Sequence, residues 1–86
     1  MAKIIAHLSL KDYKQWRNVF ESMRPVRKNL GAIGDKIFKA EGNDKEVFVS
    51  IEWDTMEEAK KFRESQEIKD AMERAGILES TFFFSD

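Results

Sequence analysis

Residues 47–53 run Val47-Phe48-Val49-Ser50-Ile51-Glu52-Trp53, and a strand of this content has two unlike sides. Successive side chains of a strand point to opposite faces, so Val47, Val49, Ile51 and Trp53 share one and Phe48, Ser50 and Glu52 the other. The first face is wholly apolar and needs a cover. The second sets a large aromatic group among polar ones, which suits neither open solvent nor a plain core.

The same division recurs outward along the chain. Lys3 to Leu10 is strand-like, with Ile4, Ala6 and Leu8 on one side and Ile5, His7 and Ser9 on the other. Leu78 to Ser85 carries Phe82 and Phe84 on one side and Phe83 on the other. Ile33 to Ala40 predicts a further strand, joined to Val47–Trp53 through the turn residues Gly42-Asn43-Asp44-Lys45. Between the strands, Tyr13, Trp16, Phe20, Met23 and Leu30 fall at helical spacing. Asp12 serves as N-cap with Gln15 as its capping-box partner, and Gly31 as the stop. Pro25 removes a backbone donor inside this segment, so a kink or short break is expected near Arg24 and Pro25. Thr55 and Glu58 form a second capping box, Met56, Ala59 and Phe62 the stripe that follows it, and Ser65 starts another helical piece ending at Gly76.

The order is therefore βαββαβ, an α+β chain. Right-handed crossovers place both helical segments on one face of a four-stranded antiparallel sheet. The other face is left bare with Ile5, Phe48 and one side of the C-terminal phenylalanine run on it. A patch of that kind marks an interface or binding groove; two sheets packed face to face would cover it, so the pattern predicts a homodimer formed through the open sheet face, with His7, Ser50 and Glu52 enclosed between the two sheets.

Composition narrows the function. The chain has 86 residues, one domain, and a domain this small buries only about 60% of its unfolded surface. It has no cysteine, so pairing with a second copy is the remaining common source of extra stability. Fifteen Lys and Arg against 16 Asp and Glu give a net charge of −1, which is not the footprint of a nucleic-acid binder. The apolar stretch Ile4–Leu8 is too short for a signal peptide or membrane span, and a soluble cytoplasmic protein is expected. One histidine and scattered acids offer no metal site, and no phosphate loop or nucleophile elbow is present. No cofactor is expected.

His7 and Glu52 belong to neighbouring central strands and point to the open side. As a pair they would give a carboxylate-supported acid or base; alternatively Glu52 only satisfies a half-buried histidine. Tyr13 and Trp16, on the first turns of the first helix, are candidates for stacking on a planar ligand or for core packing. Phe48 and Ser50 complete the candidate ligand-binding set. Arg24, Arg27 and Lys28 either bind an anionic substrate or oppose the negative end of the helix dipole.

Taken together, His7, Asp12-Tyr13, Trp16, Phe20, Arg27, Gly31, Asp44, Glu52-Trp53-Asp54, Ala59, Phe62, Ser65, Ala71-Met72 and Ala75-Gly76 make a string that resembles the dimeric α+β barrel superfamily. Within it the string is most similar to the small proteins related to antibiotic biosynthesis monooxygenases. The resemblance implies a ferredoxin-like fold, an obligate dimer, and a small hydrophobic or aromatic ligand held between sheet and helices or inside the barrel. It implies a cofactor-independent monooxygenase- or cyclase-like enzyme acting on an aromatic or polyketide-like molecule, or a non-catalytic dimeric ligand-binding or stress-related protein. Heme-degrading relatives ligate iron through a helical histidine, whereas His7 is predicted on a strand, so heme is not carried over. RNA-recognition sheets share the βαββαβ order, but their Gly-aromatic signature is missing here and the charge is wrong.

Overall fold

The computed structural model describes residues 1–86. Strands β1 (Ala2–Leu10), β2 (Ala32–Ala40), β3 (Asn43–Trp53) and β4 (Ile77–Ser85) form one antiparallel sheet in the order β2-β3-β1-β4. Each crossover is a pair of short helices: α1 (Tyr13–Ser22) with α2 (Arg24–Asn29), and α3 (Met56–Glu64) with α4 (Gln66–Arg74). The ferredoxin-like βαββαβ expectation holds.

The register fixes the two faces. Ile4 lies opposite Ile51, Ala6 opposite Val49 and Leu8 opposite Val47, and all six are buried in one cluster with Trp16, Phe20, Ala59, Phe62 and Ala75 from the helices. Phe82 and Phe84 align with Ala6 and Ile4 on this covered side, and Phe83 with Ile5 on the other. Trp53 is completely buried, its ring 5.0 Å from that of Phe62. Its indole N–H has no hydrogen-bond partner, which costs about 1–3 kcal/mol. Removing roughly 200 Å² of aromatic surface from water at about 25 cal/mol per Å² returns about 5 kcal/mol, so packing outweighs the orphaned donor.

Local differences from the sequence expectation have simple causes. The long first helix is broken at Met23, and Pro25 falls in the first turn of α2, where its missing N–H removes no intrahelical bond. Asp12 caps α1, accepting from the Gln15 N–H at 2.8 Å, but the Gln15 side chain does not complete a capping box. It donates instead to the Arg74 carbonyl at 3.0 Å, satisfying an acceptor at the end of α4. The β2–β3 hairpin is tighter than the Gly42–Lys45 loop expected, since β3 begins at Asn43 and Gly42 takes a φ of +78° in the turn. Thr55 and Glu58 form the predicted reciprocal cap of α3. No helix is long and apolar enough to cross a membrane.

Gly31 brings the end of the first crossover against the cap of α3. Its φ is +113°, and a Cβ at this position would run into the Glu58 carboxylate, the group that accepts from the Thr55 N–H in the α3 cap. Gly31→Ala should therefore combine the strain of a positive φ with the loss of much of a helix cap, roughly 2 kcal/mol in urea unfolding. In a Glu58→Ala background the same substitution should cost markedly less.

Candidate functional site

The space between helices and sheet is a cavity of about 60 Å³ whose 17 lining residues include 16 hydrophobic ones. Trp16, 2% exposed, stacks on Phe20 at 5.1 Å, and both face it, as do Phe62 and Phe82. The helical spacing of Trp16 and Phe20 on α1 turns both toward the sheet. Tyr13 lies one turn earlier at the margin of the core. Its hydroxyl accepts from Arg17 Nη1 at 3.0 Å and the Lys39 ammonium lies over its ring, and it does not line the cavity.

Arg27 is the one polar residue of the cavity wall and is 3% exposed. Its Nη1 donates to the Phe20 carbonyl at 2.8 Å, its Nη2 to Asp35 at 3.3 Å, and its guanidinium carbon sits 3.9 Å from the Phe20 ring centroid. Burial pushes this guanidinium down from its ordinary value, and Asp35 opposes the change; an arginine nonetheless stays charged. For Asp35, burial alone would raise the carboxyl, but the Arg24 fork at 3.2 and 3.3 Å, reinforced by Arg27, holds it below its ordinary 3.8.

The opposite face carries aligned rows. Lys36, Ser50, Ile5 and Phe83 form one, and Phe38, Phe48, His7 and Thr81 the next. Phe38, Phe48 and Phe83 are about half exposed. A hollow of about 770 Å³ here is lined in part by Ile5, Phe38, Phe48, Ser50 and Glu52. His7 is not on its wall.

The expected pairing of His7 with Glu52 is not made. Antiparallel register puts Glu52 opposite Lys3, to which it forms a 3.8 Å ion pair, while His7 lies opposite Phe48 and stacks on it at 4.7 Å. The histidine's partner is Glu46, with Nε2 at 3.2 Å. Ser9 donates to the same carboxylate at 2.8 Å, and this bond, ahead of the charge of His7, keeps Glu46 below the usual carboxylate range. The ligand-binding set also divides. Trp16 belongs to the cavity beneath the helices, Phe48 and Ser50 to the hollow on the far side, and one pocket cannot contain all of them. Sequence reasoning missed Glu46 and Asp35. Glu46 has the same strand parity as Phe48 and Ser50, so the face could be read, but the partner depends on cross-strand register. No group of three or more His, Cys, Asp or Glu side chains is placed to hold a metal ion.

Asp35 carries a pH dependence with a definite sign. A carboxyl held below its unfolded value contributes its full stability above about pH 4 and loses it as pH falls through the folded value. Wild type should therefore weaken on acidification below about pH 4 more steeply than Asp35→Asn. At pH 7 that variant should be less stable by roughly 2 kcal/mol, because Arg27 keeps its buried charge while Arg24 is partly exposed. Urea midpoints measured across pH check both.

The sequence pattern of the antibiotic biosynthesis monooxygenase family matches residues 1–74. Among solved structures, the fold is similar to SnoaB, a cofactor-independent oxygenase from Streptomyces nogalater, with TM-score 0.85 at 7% identity over 99% of this chain and 90% of that one. It is also similar to a protein of Bordetella bronchiseptica assigned to the antibiotic biosynthesis monooxygenases, with TM-score 0.83 at 13% identity over 99% and 94%. A conserved protein from Methanosarcina mazei has TM-score 0.75 at 14% identity over 98% and 89%. No curated protein is a detectable sequence relative. At these identities the structural likenesses speak for the fold alone, and it is the match over residues 1–74 that makes the chain a member of the antibiotic biosynthesis monooxygenase family.

Proposed function

We propose that this protein binds a small aromatic molecule in the cavity beneath its helices and oxidises it without a cofactor, working as a homodimer joined through the open sheet faces. The observation that carries the reading is the cavity itself, apolar except for Arg27 and walled by Trp16, Phe20 and Phe62. At about 60 Å³ it lies below the roughly 300–1,000 Å³ of occupied ligand sites, so a ring must part the side chains to enter. SnoaB, described as a cofactor-independent oxygenase, has this fold. The half-exposed Phe38, Phe48 and Phe83 supply the apolar face for dimerisation.

Oxygenation without a cofactor requires electrons from the substrate. A methylene acidified by an aryl ring and a carbonyl meets this need. Its carbon gives up both hydrogens and all the electrons required, one atom of dioxygen becomes the new carbonyl oxygen, and the other leaves with the two hydrogens as water. No carboxylate or imidazole lines the cavity, so ionisation of the substrate is left to its own acidity and to base from solvent. That same absence favours the rival reading, a ligand-binding protein with no reaction. His7 and Glu52, expected together in catalysis, are proposed in separate places at the dimer seam, His7 with Glu46 and Ser9, Glu52 with Lys3.

Oxygen uptake with 2-indanone as probe tests the reaction. Turnover should follow ionisation of the probe, fall at least tenfold in Trp16→Leu, and stay near wild type in His7→Ala. The reverse order of the two variants would move the reaction inside the barrel, and no uptake with intact binding would favour the rival. Light scattering at micromolar concentration should give a dimer mass for wild type and a monomer for Phe48→Glu. A wild-type monomer would refute the proposed assembly.

A further inference from the structure

Arg27 borders two spaces, the apolar cavity and a cleft on the outer surface. The outer cleft, about 360 Å³, is lined by Arg24, Arg27, Lys28 and Asp35 beside small or apolar residues. Three cations and one carboxylate thus line the cleft on the outer side of the Arg27 side chain, whose other side borders the cavity. Compensation of the α2 dipole does not account for this, because such compensation needs only a surface charge near the helix end, and Lys28, in the same last turn and exposed, already supplies one. Arg27 is instead withdrawn from water, 3% exposed, at a desolvation cost that a surface cation avoids. Its hydrogen bonds use Nη1 and Nη2, leaving the Nε–H without a protein acceptor.

We propose that Arg27 is the anion-recognising end of the ligand site, so that the cavity takes an amphipathic monoanion. An apolar ring lodges against Trp16 and Phe62, and a carboxylate or similar planar oxyanion meets the guanidinium at the Arg24–Lys28 mouth. This rests on the cavity being the ligand site, as proposed above. The chemistry suits the side chain. A guanidinium offers a fork of donors matched to a planar oxyanion, and its seat over the Phe20 ring, 3.9 Å from the centroid, with the bonds to the Phe20 carbonyl and Asp35, holds it in place. Asp35 neutralises only part of the local positive charge, so an incoming anion is attracted overall. Exclusion of water by the apolar walls strengthens the contact.

The test compares 2-naphthoate with 2-naphthalenemethanol, which share a ring system and differ in carrying a carboxylate or a neutral hydroxymethyl group. Calorimetric titration of the full chain at pH 7, where the carboxylate is ionised, should show the naphthoate binding roughly tenfold to a hundredfold more tightly. The preference should shrink at high salt, and Arg27→Gln should abolish it, the naphthoate losing far more affinity than the alcohol. Equal affinities in wild type overturn the anion subsite and leave the cavity reading standing; binding of neither probe overturns both. A preference that persists in Arg27→Gln also overturns the assignment. If Arg27→Gln does not fold, Arg27→Lys takes its place. Loss of the fork with retention of charge should lower the preference severalfold, and an unchanged preference overturns the role given to Arg27.

Discussion

The antiparallel ladder between β1 and β3 sets Ile4 against Ile51, Ala6 against Val49 and Leu8 against Val47. Side chains alternate along both strands, so burying these pairs under helices sends Ile5, His7, Phe48 and Ser50 to the other side together. A slip of one residue would exchange the two sets and place His7, Ser50 and Glu52 in the dry layer. The cavity, the open aromatic face and the separation between them all depend on this one register. It is why Trp16 and Phe48, both suited to ligand contact by residue type, stand on opposite sides of a sheet.

Much of the fold was legible from local chemistry. Thr55 and Glu58 announced the α3 cap, Ser65 the start of α4, and Pro25 the break that falls at Met23. These signals act over three or four residues and need no knowledge of the rest of the chain. The side from which each β1 or β3 residue projects was equally legible, because strand parity is a local property. Gln15 was misread for the opposite reason. Its spacing from Asp12 fitted a capping box, but the Arg74 carbonyl, 59 residues away in sequence, competes for the same amide.

The site was less legible because it depends on register. His7 and Glu52 lie on adjacent strands and the same face, yet antiparallel pairing runs their sequence numbers in opposite directions. The carboxylate brought to His7 is therefore Glu46. Arg27 was recognised as basic and near a helix end, but nothing local distinguishes it from Arg24. Only the packing shows that Arg27 is buried with its guanidinium on Phe20 while Arg24 is partly exposed and shares Asp35.

The last strand has a consequence beyond the cavity. β4 is an edge of the sheet, and its residues Ser80-Thr81-Phe82-Phe83-Phe84-Ser85 contain neither charge nor proline. The other edge, β2, interleaves Asp35, Lys36 and Lys39 and has an irregular register between Ala32 and Gly34, devices that discourage further strand addition. The only charge on β4 is Glu79, just before this hexapeptide, which itself combines three aromatic residues with high strand propensity and no gatekeeper. Conditions that free β4 from β1 would expose a hexapeptide of the composition that favours strand addition between chains, so the hold of one strand on its neighbour guards against aggregation as well as unfolding.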